Sequence, residues 1–439
     1  MVPHMYWPEK EDCQNLNIWT PSIRDGRKRP VMVWLHGGGF SAGSSIEQLA
    51  YDGENLSRAG DVVVVSVNHR LNVLGYLDLS PFGEKYRDSA NAGNLDLIAA
   101  LEWIRDNIEG FGGDPENVTL FGQSGGGVKV WSLLQMPEAD GLFHKGIIES
   151  GVVDPDLLGD AEDGNGREIV KAMLAELGLE EKDVDQLETL PYDQLAQAYE
   201  NAAPKVAQKG EYVGNHPHKN QSYFGDAIKH GFREETKKIP LLIGTVLGEF
   251  DFGPAISGKY EFTRKEVEEK VRDVLGEEGI ELIDEFLKIY PDKAPMDLLS
   301  VDTIFREPTI RFIKERVKCP DSKIYSFQFT YEFPMFDGKI AWHCSEIPFA
   351  FHNIDKVPVC NCGEETNRLQ EQICQAWVSF ARTGKPEISG IEWPACADGD
   401  EAVMMLDKEC RIRHNPDHEL VNRLKKLQTA EHSVENVQH

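Results

Sequence analysis

Unbroken apolar runs, more than alternating ones, organise this chain. Val31-Met32-Val33-Trp34-Leu35 and the DVVVVSVN stretch at 61–68 are continuous enough to predict strands buried on both faces. NLNIWT at 15–20 reads as an earlier strand closed by Pro21. VTLF at 118–121, the GIIESG stretch at 146–151, IPLLIGT at 239–245 and KIYSFQF at 323–329 read as later ones. Between them the period turns helical. Leu95, Ile98, Leu101, Trp103, Ile104 and Ile108 give a helix over 94–110 a broad apolar face, ended by Phe111-Gly112-Gly113-Asp114-Pro115. A second helix over 368–382 stops at Gly384 and Pro386. Strand, helix, strand repeats with buried strands predict an α/β fold, a central mostly parallel sheet with helices on both faces. Residues 164–205 are acidic and helical, and 263–289 are helical again. The expected organisation is therefore one domain over 1–439 with helical cap excursions around 154–235 and 259–300.

The strand at 118–121 runs into Gly122-Gln123-Ser124-Gly125-Gly126, a G-x-S-x-G pentapeptide. A strand ending there and a helix beginning there force a sharp turn that projects the Ser124 hydroxyl. Such a serine is a weak nucleophile at its own pKa and needs a base, which in turn needs a carboxylate to fix its tautomer. Upstream, the 31–35 strand empties into His36-Gly37-Gly38-Gly39-Phe40, where three glycines expose backbone N–H groups able to donate to an oxyanion. For the base, His343 lies in a loop of small and polar residues after the 323–329 strand, whereas His352 follows the apolar run 348–351 and reads as a packing or capping residue. For the acid, Glu249 and Asp251 both follow the buried 239–245 strand, and spacing does not separate them. Trp131, Phe250, Phe252 and Phe305 are candidates for an apolar substrate lining.

At 439 residues and 41% hydrophobic the chain can bury a large core. Its 46 basic and 74 acidic residues leave a net charge of -28. An acidic surface repels phosphate backbones and anionic membranes, so neither is an expected partner. The N-terminal residues show no basic and apolar leader pattern, and no apolar run is long enough to span a bilayer. Eight cysteines scattered through so large a chain suit reduced thiols, and the expected location is cytoplasmic. Cys360-Asn361-Cys362 lacks the two-residue gap of common zinc or redox pairs; neither a metal nor another cofactor is expected.

The motifs also carry a resemblance. Glu11-Asp12-Cys13 with NLNIWTP, HGGGF, NHRLNVLGYL at 68–77, FGGDPENVTLFGQSGGG, WHCSEIPFAF and ARTGKP together resemble the type B carboxylesterase family, bacterial-type members included, over nearly the whole chain. The resemblance implies an α/β-hydrolase fold and a serine esterase acting on a small-molecule ester. It implies Ser124 as nucleophile, Glu249 as acid, His343 as base, and Gly38, Gly39 and Gly125 as oxyanion donors. Two positions depart from the family's G-T-x-x-D-E-G segment: Gly248 replaces its Asp and Phe250 its Gly. The chain also begins almost at the E-D-C segment, which implies a shortened N-terminus without the early strands and without a partner for Cys13. Gln123 stands where cholinesterases carry glutamate, which argues against acetylcholine as substrate. A specialised feruloyl or acetyl ester or carbamate hydrolase is the alternative expectation. A non-catalytic adhesion-type relative fits less well, because all three triad positions are filled.

Overall fold

A computed structural model describes residues 10–154 and 164–435. Residues 1–9 of the N-terminal stretch 1–12 read for a leader, and the part of the first cap excursion over 155–163, lie outside the described residues.

The strands, in chain order, are β1 (Asn15–Trp19), β2 (Arg29–Leu35), β3 (Val63–Asn68), β4 (Gly113–Gln123), β5 (Lys145–Glu149), β6 (Leu241–Val246), β7 (Ile324–Phe329), β8 (Glu332–Phe333), β9 (Lys339–Ile340), β10 (Ala402–Leu406) and β11 (Arg411–His414). Among the described residues nine of them form one sheet in the order β1-β3-β2-β4-β5-β6-β7-β10-β11. The run from β3 to β10 is parallel throughout, and β1 and β11 add antiparallel edges. The continuous apolar runs have a direct explanation in this geometry. Met32 and Trp34 of β2 point into a core shared with the helix Glu364–Thr383, while Val31, Val33 and Leu35 point into a second core containing Leu97, Leu101 and Ile104 of the helix Ala92–Asn107. Both parities of the strand are buried, so neither can be polar. This is the α/β-hydrolase fold.

Two expectations need correction. Trp103 is expected on the apolar face of its helix, yet it is 39% exposed, its ring set against Phe111. Leu97, Ile98, Leu101 and Ile104 of that helix are the ones buried in the core against the sheet. The excursion around 259–300 is expected as a helical cap. Its helix, Arg264–Ile289, instead buries Val267, Val271, Leu282, Ile283 and Phe286 in one cluster with Val403 and Met405 of β10 and Leu420 and Leu424 of the C-terminal helix. It belongs to the layer covering the sheet. The helices Arg167–Glu176 and Tyr192–Ala207 do form a separate small core, anchored on Val73, Leu77 and Tyr86.

The order of the strands fixes where a ligand can sit. The chain goes from β2 outward to β3, then returns to the other side of β2 as β4. The carboxyl ends of β2 and β4 therefore flank a topological switch point, where open parallel sheets bind their ligands. The Gly37 to Gly39 loop follows one end and Ser124 the other.

Candidate active site

Ser124 occupies the turn between β4 and the helix Gly125–Leu133 with φ 57° and ψ -128°, a conformation L-residues rarely adopt. Two backbone bonds hold it there: its N–H donates to Glu149 O at 2.8 Å, and its carbonyl accepts from Val128 N at 3.0 Å. The turn is possible only because its neighbours lack side chains. A Cβ on Gly126 would lie 1.9 Å from Leu35 O, and one on Gly125 would lie 2.5 Å from Gly39 N. The second contact brings the glycine loop onto the serine turn backbone to backbone. Gly38 takes φ 83°, where a Cβ would meet Ala42 O at 2.3 Å, and its carbonyl closes the loop by accepting from Ser41 and Ala42.

The candidate acid and base arrive from the next strands. Glu249 follows β6 and is 1% exposed; His343 follows the β8–β9 hairpin and is 8% exposed. His343 Nδ1 lies 2.5 Å from Glu249 Oε2, and the backbone N–H of His343 donates to Glu249 O at 2.7 Å. The other oxygen of Glu249 accepts from Ser150 Oγ at 2.5 Å and Val246 N at 3.0 Å. Both carboxylate oxygens are thus occupied, and the one facing the ring favours the imidazole tautomer with its proton on Nδ1. Asp251, the other sequence candidate, turns away to pair with Lys339 of β9 at 2.7 Å. At Gly248 a Cβ would lie 2.5 Å from Ile340 Cδ1. His352 bonds Glu371 through Nε2 at 2.7 Å and takes no part.

The imidazole is framed further. Gln123 Nε2 lies 3.2 Å and 3.4 Å from the two ring nitrogens, and Gln123 Oε1 accepts from the Cys344 thiol at 3.2 Å. Phe250 and Phe305 pack on the ring at centroid distances of 5.1 Å and 5.2 Å. Trp131 joins none of these ring pairs; it is buried in the core below the turn, its indole N–H donating to Gly151 O at 3.0 Å. A cavity of about 750 Å³ opens beside Glu249 and Phe250, walled by Leu275, Leu298, Val301 and Leu424, and Ser124 is not part of its wall.

Sequence reasoning missed several residues. Ser150 sits just past β5, on the strand beside β4, and its signal was a small polar residue at a buried strand end. Asp302 accepts from the N–H groups of Ile304, Phe305 and Arg306, which sets Phe305 against the imidazole; burial, and then the charge of Glu249, raise its carboxyl to about 8. Glu149 and Glu346 are fully buried. Burial raises the Glu149 carboxyl to about 8, against one hydrogen bond from Trp377 Nε1 at 2.5 Å. Burial, with the charges of Glu149 and Glu249, pushes Glu346 well above the carboxylate range. Lys129, five residues beyond Ser124, is fully buried, donates to His36 O at 3.0 Å, and is lowered to about 7 by burial. An ionisable residue inside the small and apolar run GGGVKVW was its signal.

The comparisons set the chain among known esterases. The carboxylesterase family model matches residues 3–424. A para-nitrobenzyl esterase of Bacillus subtilis (strain 168) is 33% identical over 426 residues, covering 94% of this chain and 82% of that protein. The phenmedipham hydrolase of Pseudarthrobacter oxydans is 31% identical over 440 residues, covering 95% and 84%. Among solved structures, an esterase from anaerobic Clostridium hathewayi that can hydrolyze aliphatic aromatic polyesters superposes with a TM-score of 0.94 at 50% identity, over 97% of this chain and 85% of that one. Fold and comparisons together define a carboxylic ester hydrolase of the α/β-hydrolase class. The chain belongs to the carboxylesterase family. No described helix is long and apolar enough to cross a membrane, and no described group of three or more His, Cys, Asp or Glu could hold a metal ion.

Proposed function

We propose that this esterase works through an acyl-enzyme carried by Ser124, with His343 as the base and Glu249 as the acid that orients it. His343 Nε2 takes the proton of Ser124 Oγ as that oxygen attacks the ester carbonyl carbon. The N–H groups of Gly38, Gly39 and Gly125 stabilise the oxyanion. The imidazolium returns its proton to the departing alcohol, and water, activated by the same imidazole, releases the acid. The observation that carries the reading is the bond of His343 Nδ1 to a Glu249 whose other oxygen is already held by Ser150 and Val246. In this structure the imidazole contacts Glu249 and Gln123 rather than the Ser124 hydroxyl. Catalytic contacts of this kind tighten when substrate binds.

The substrate in this reading is a small-molecule carboxylic ester, and the compartment is the cytoplasm, with no nucleic-acid partner. Phe250, Phe252 and Phe305 form the apolar wall beside the base, and Trp131 supports the turn from below. The relatives' names widen the substrates worth testing to para-nitrobenzyl esters, phenmedipham and aliphatic aromatic polyesters. Feruloyl or acetyl esters and carbamates belong in the same panel. Ser124→Ala should lower p-nitrophenyl acetate hydrolysis by roughly 10⁴-fold or more with an unchanged circular dichroism spectrum. Activity retained in that folded variant would remove Ser124 from the mechanism.

A further inference from the structure

Phe305, Phe250 and Phe252 make a continuous series of rings that starts on the His343 imidazole and ends in solvent. Phe305 is 4% exposed and lies nearly parallel to the imidazole, at 16° and 5.2 Å. Phe250 touches the same imidazole at 5.1 Å and Phe305 at 5.6 Å, yet is 48% exposed. Phe252 stands edge-on to Phe250 at 5.9 Å and is 56% exposed. Two large rings therefore leave apolar area in water beside the acid–base pair, where a ligand that covers them gains free energy. Phe250 is bonded directly to Glu249, so its position is tied to the acid. It also stands where the family segment carries glycine, which makes the ring series a feature of this chain.

We propose that these rings form the subsite for the alcohol portion of the ester and select alcohols that carry an aromatic ring, such as benzyl alcohols. This rests on the roles proposed above for Ser124 and His343. Proton transfer assigns the side. In the acylation step the Ser124 Oγ–acyl carbon bond forms and the acyl carbon–alkoxy bond breaks. The proton that left Ser124 passes from His343 Nε2 to the leaving oxygen, which must come within about 3 Å of that nitrogen. The leaving group is therefore the part of the substrate held against the imidazole, and groups packed on the imidazole flank it. The carbonyl oxygen lies over Gly39 and Gly125. An aromatic ring on the alcohol can stack on Phe250 and cover Phe252, gaining the offset or edge-to-face interaction that aromatic pairs have beyond their buried area.

The test compares kcat/KM for benzyl butanoate, butyl butanoate and butyl benzoate in the wild type, Phe250→Ala, Phe252→Ala and Phe252→Leu, with thermal melts to establish folding. The wild type should prefer the benzyl over the butyl ester of the same acid. Phe250→Ala and Phe252→Ala should each lower that ratio by about tenfold, and Phe252→Leu should fall between. The benzoate to butanoate ratio, with the alcohol held constant, should shift by less than about twofold. An unchanged benzyl to butyl ratio in both alanine variants overturns the subsite. A larger shift in the benzoate ratio overturns its assignment to the alcohol. Because Phe252 is at the surface, its variants keep the test decisive even if Phe250→Ala misfolds. A folded wild type inert toward all three esters would instead overturn the esterase reading beneath it.

Discussion

The two halves of the candidate site are built from different materials. The serine turn and the glycine loop are backbone packed on backbone: Gly126 against Leu35 O, Gly125 against Gly39, with Ser124 held by main-chain bonds to Glu149 and Val128. The acid–base half is a set of side chains that hold one another: Glu249 between His343, Ser150 and Val246 N, and Gln123 between His343 and Cys344. A backbone half has no slack, since an added carbon meets atoms that cannot rotate away. A side-chain half can keep its shape while a single atom is exchanged, so structure and chemistry can be separated there.

The sharpest way to break this contrast is Gly126→Ala. Its Cβ falls 1.9 Å from a carbonyl oxygen, so the variant should lose about 3 kcal/mol or more of stability together with its activity, read by thermal melt and p-nitrophenyl ester assay. A stable, active variant would show that the turn has room. Next in size is Glu249→Gln. Its amide oxygen can still accept from Ser150 and Val246 N while its NH₂ faces His343 Nδ1 and imposes the wrong tautomer. Turnover should drop roughly 10³- to 10⁴-fold with little change in melting temperature. Asp251→Asn is the matched control. It leaves the buried Lys339 without its charge partner, so stability should fall while turnover stays within about fivefold. A larger loss of turnover in Asp251→Asn than in Glu249→Gln would reverse the assignment of the acid.

The smallest effect concerns the buried carboxyls behind the site. Glu149 titrates near 4.5 in the unfolded chain and at about 8 in the folded one. Between those values the folded protein keeps a proton that the unfolded chain releases, so stability is lost as pH rises through that window. Glu149→Gln keeps an acceptor for Trp377 and removes the titration. Its melting temperature should match the wild type below about pH 4.5 and exceed it by a growing margin up to about pH 8. Parallel melting curves across that range would mean that Glu149 is ionised in the fold.

The same contrast explains what the sequence disclosed. The backbone half was legible, because G-x-S-x-G and a triple glycine after a buried strand are patterns that packing alone does not require. The parallel sheet was legible from runs such as Val31 to Leu35, which are apolar on both parities for the reason given by their two cores. The side-chain half was legible only in part. Spacing left Glu249 and Asp251 equal, and what separates them is Lys339, ninety residues downstream on a two-residue strand. β10 and β11 went unread because AVMML and RIRH are short and weak in β-branched residues. Glu149 and Glu346 are ionisable residues whose burial depends on tertiary neighbours, and only Lys129, set in the small and apolar run GGGVKVW, has a local pattern that hints at it.

The succession of strands has a consequence for how the enzyme comes into being. Ser124, Ser150, Glu249 and His343 follow β4, β5, β6 and the hairpin beyond β7, one contribution from each successive parallel strand across the sheet. Pairings so distant in sequence form late and slowly during folding. A chain emerging from the ribosome would thus carry its nucleophile turn long before it possesses a base, and a hydrolase assembled in that order is chemically silent until its own sheet is nearly complete.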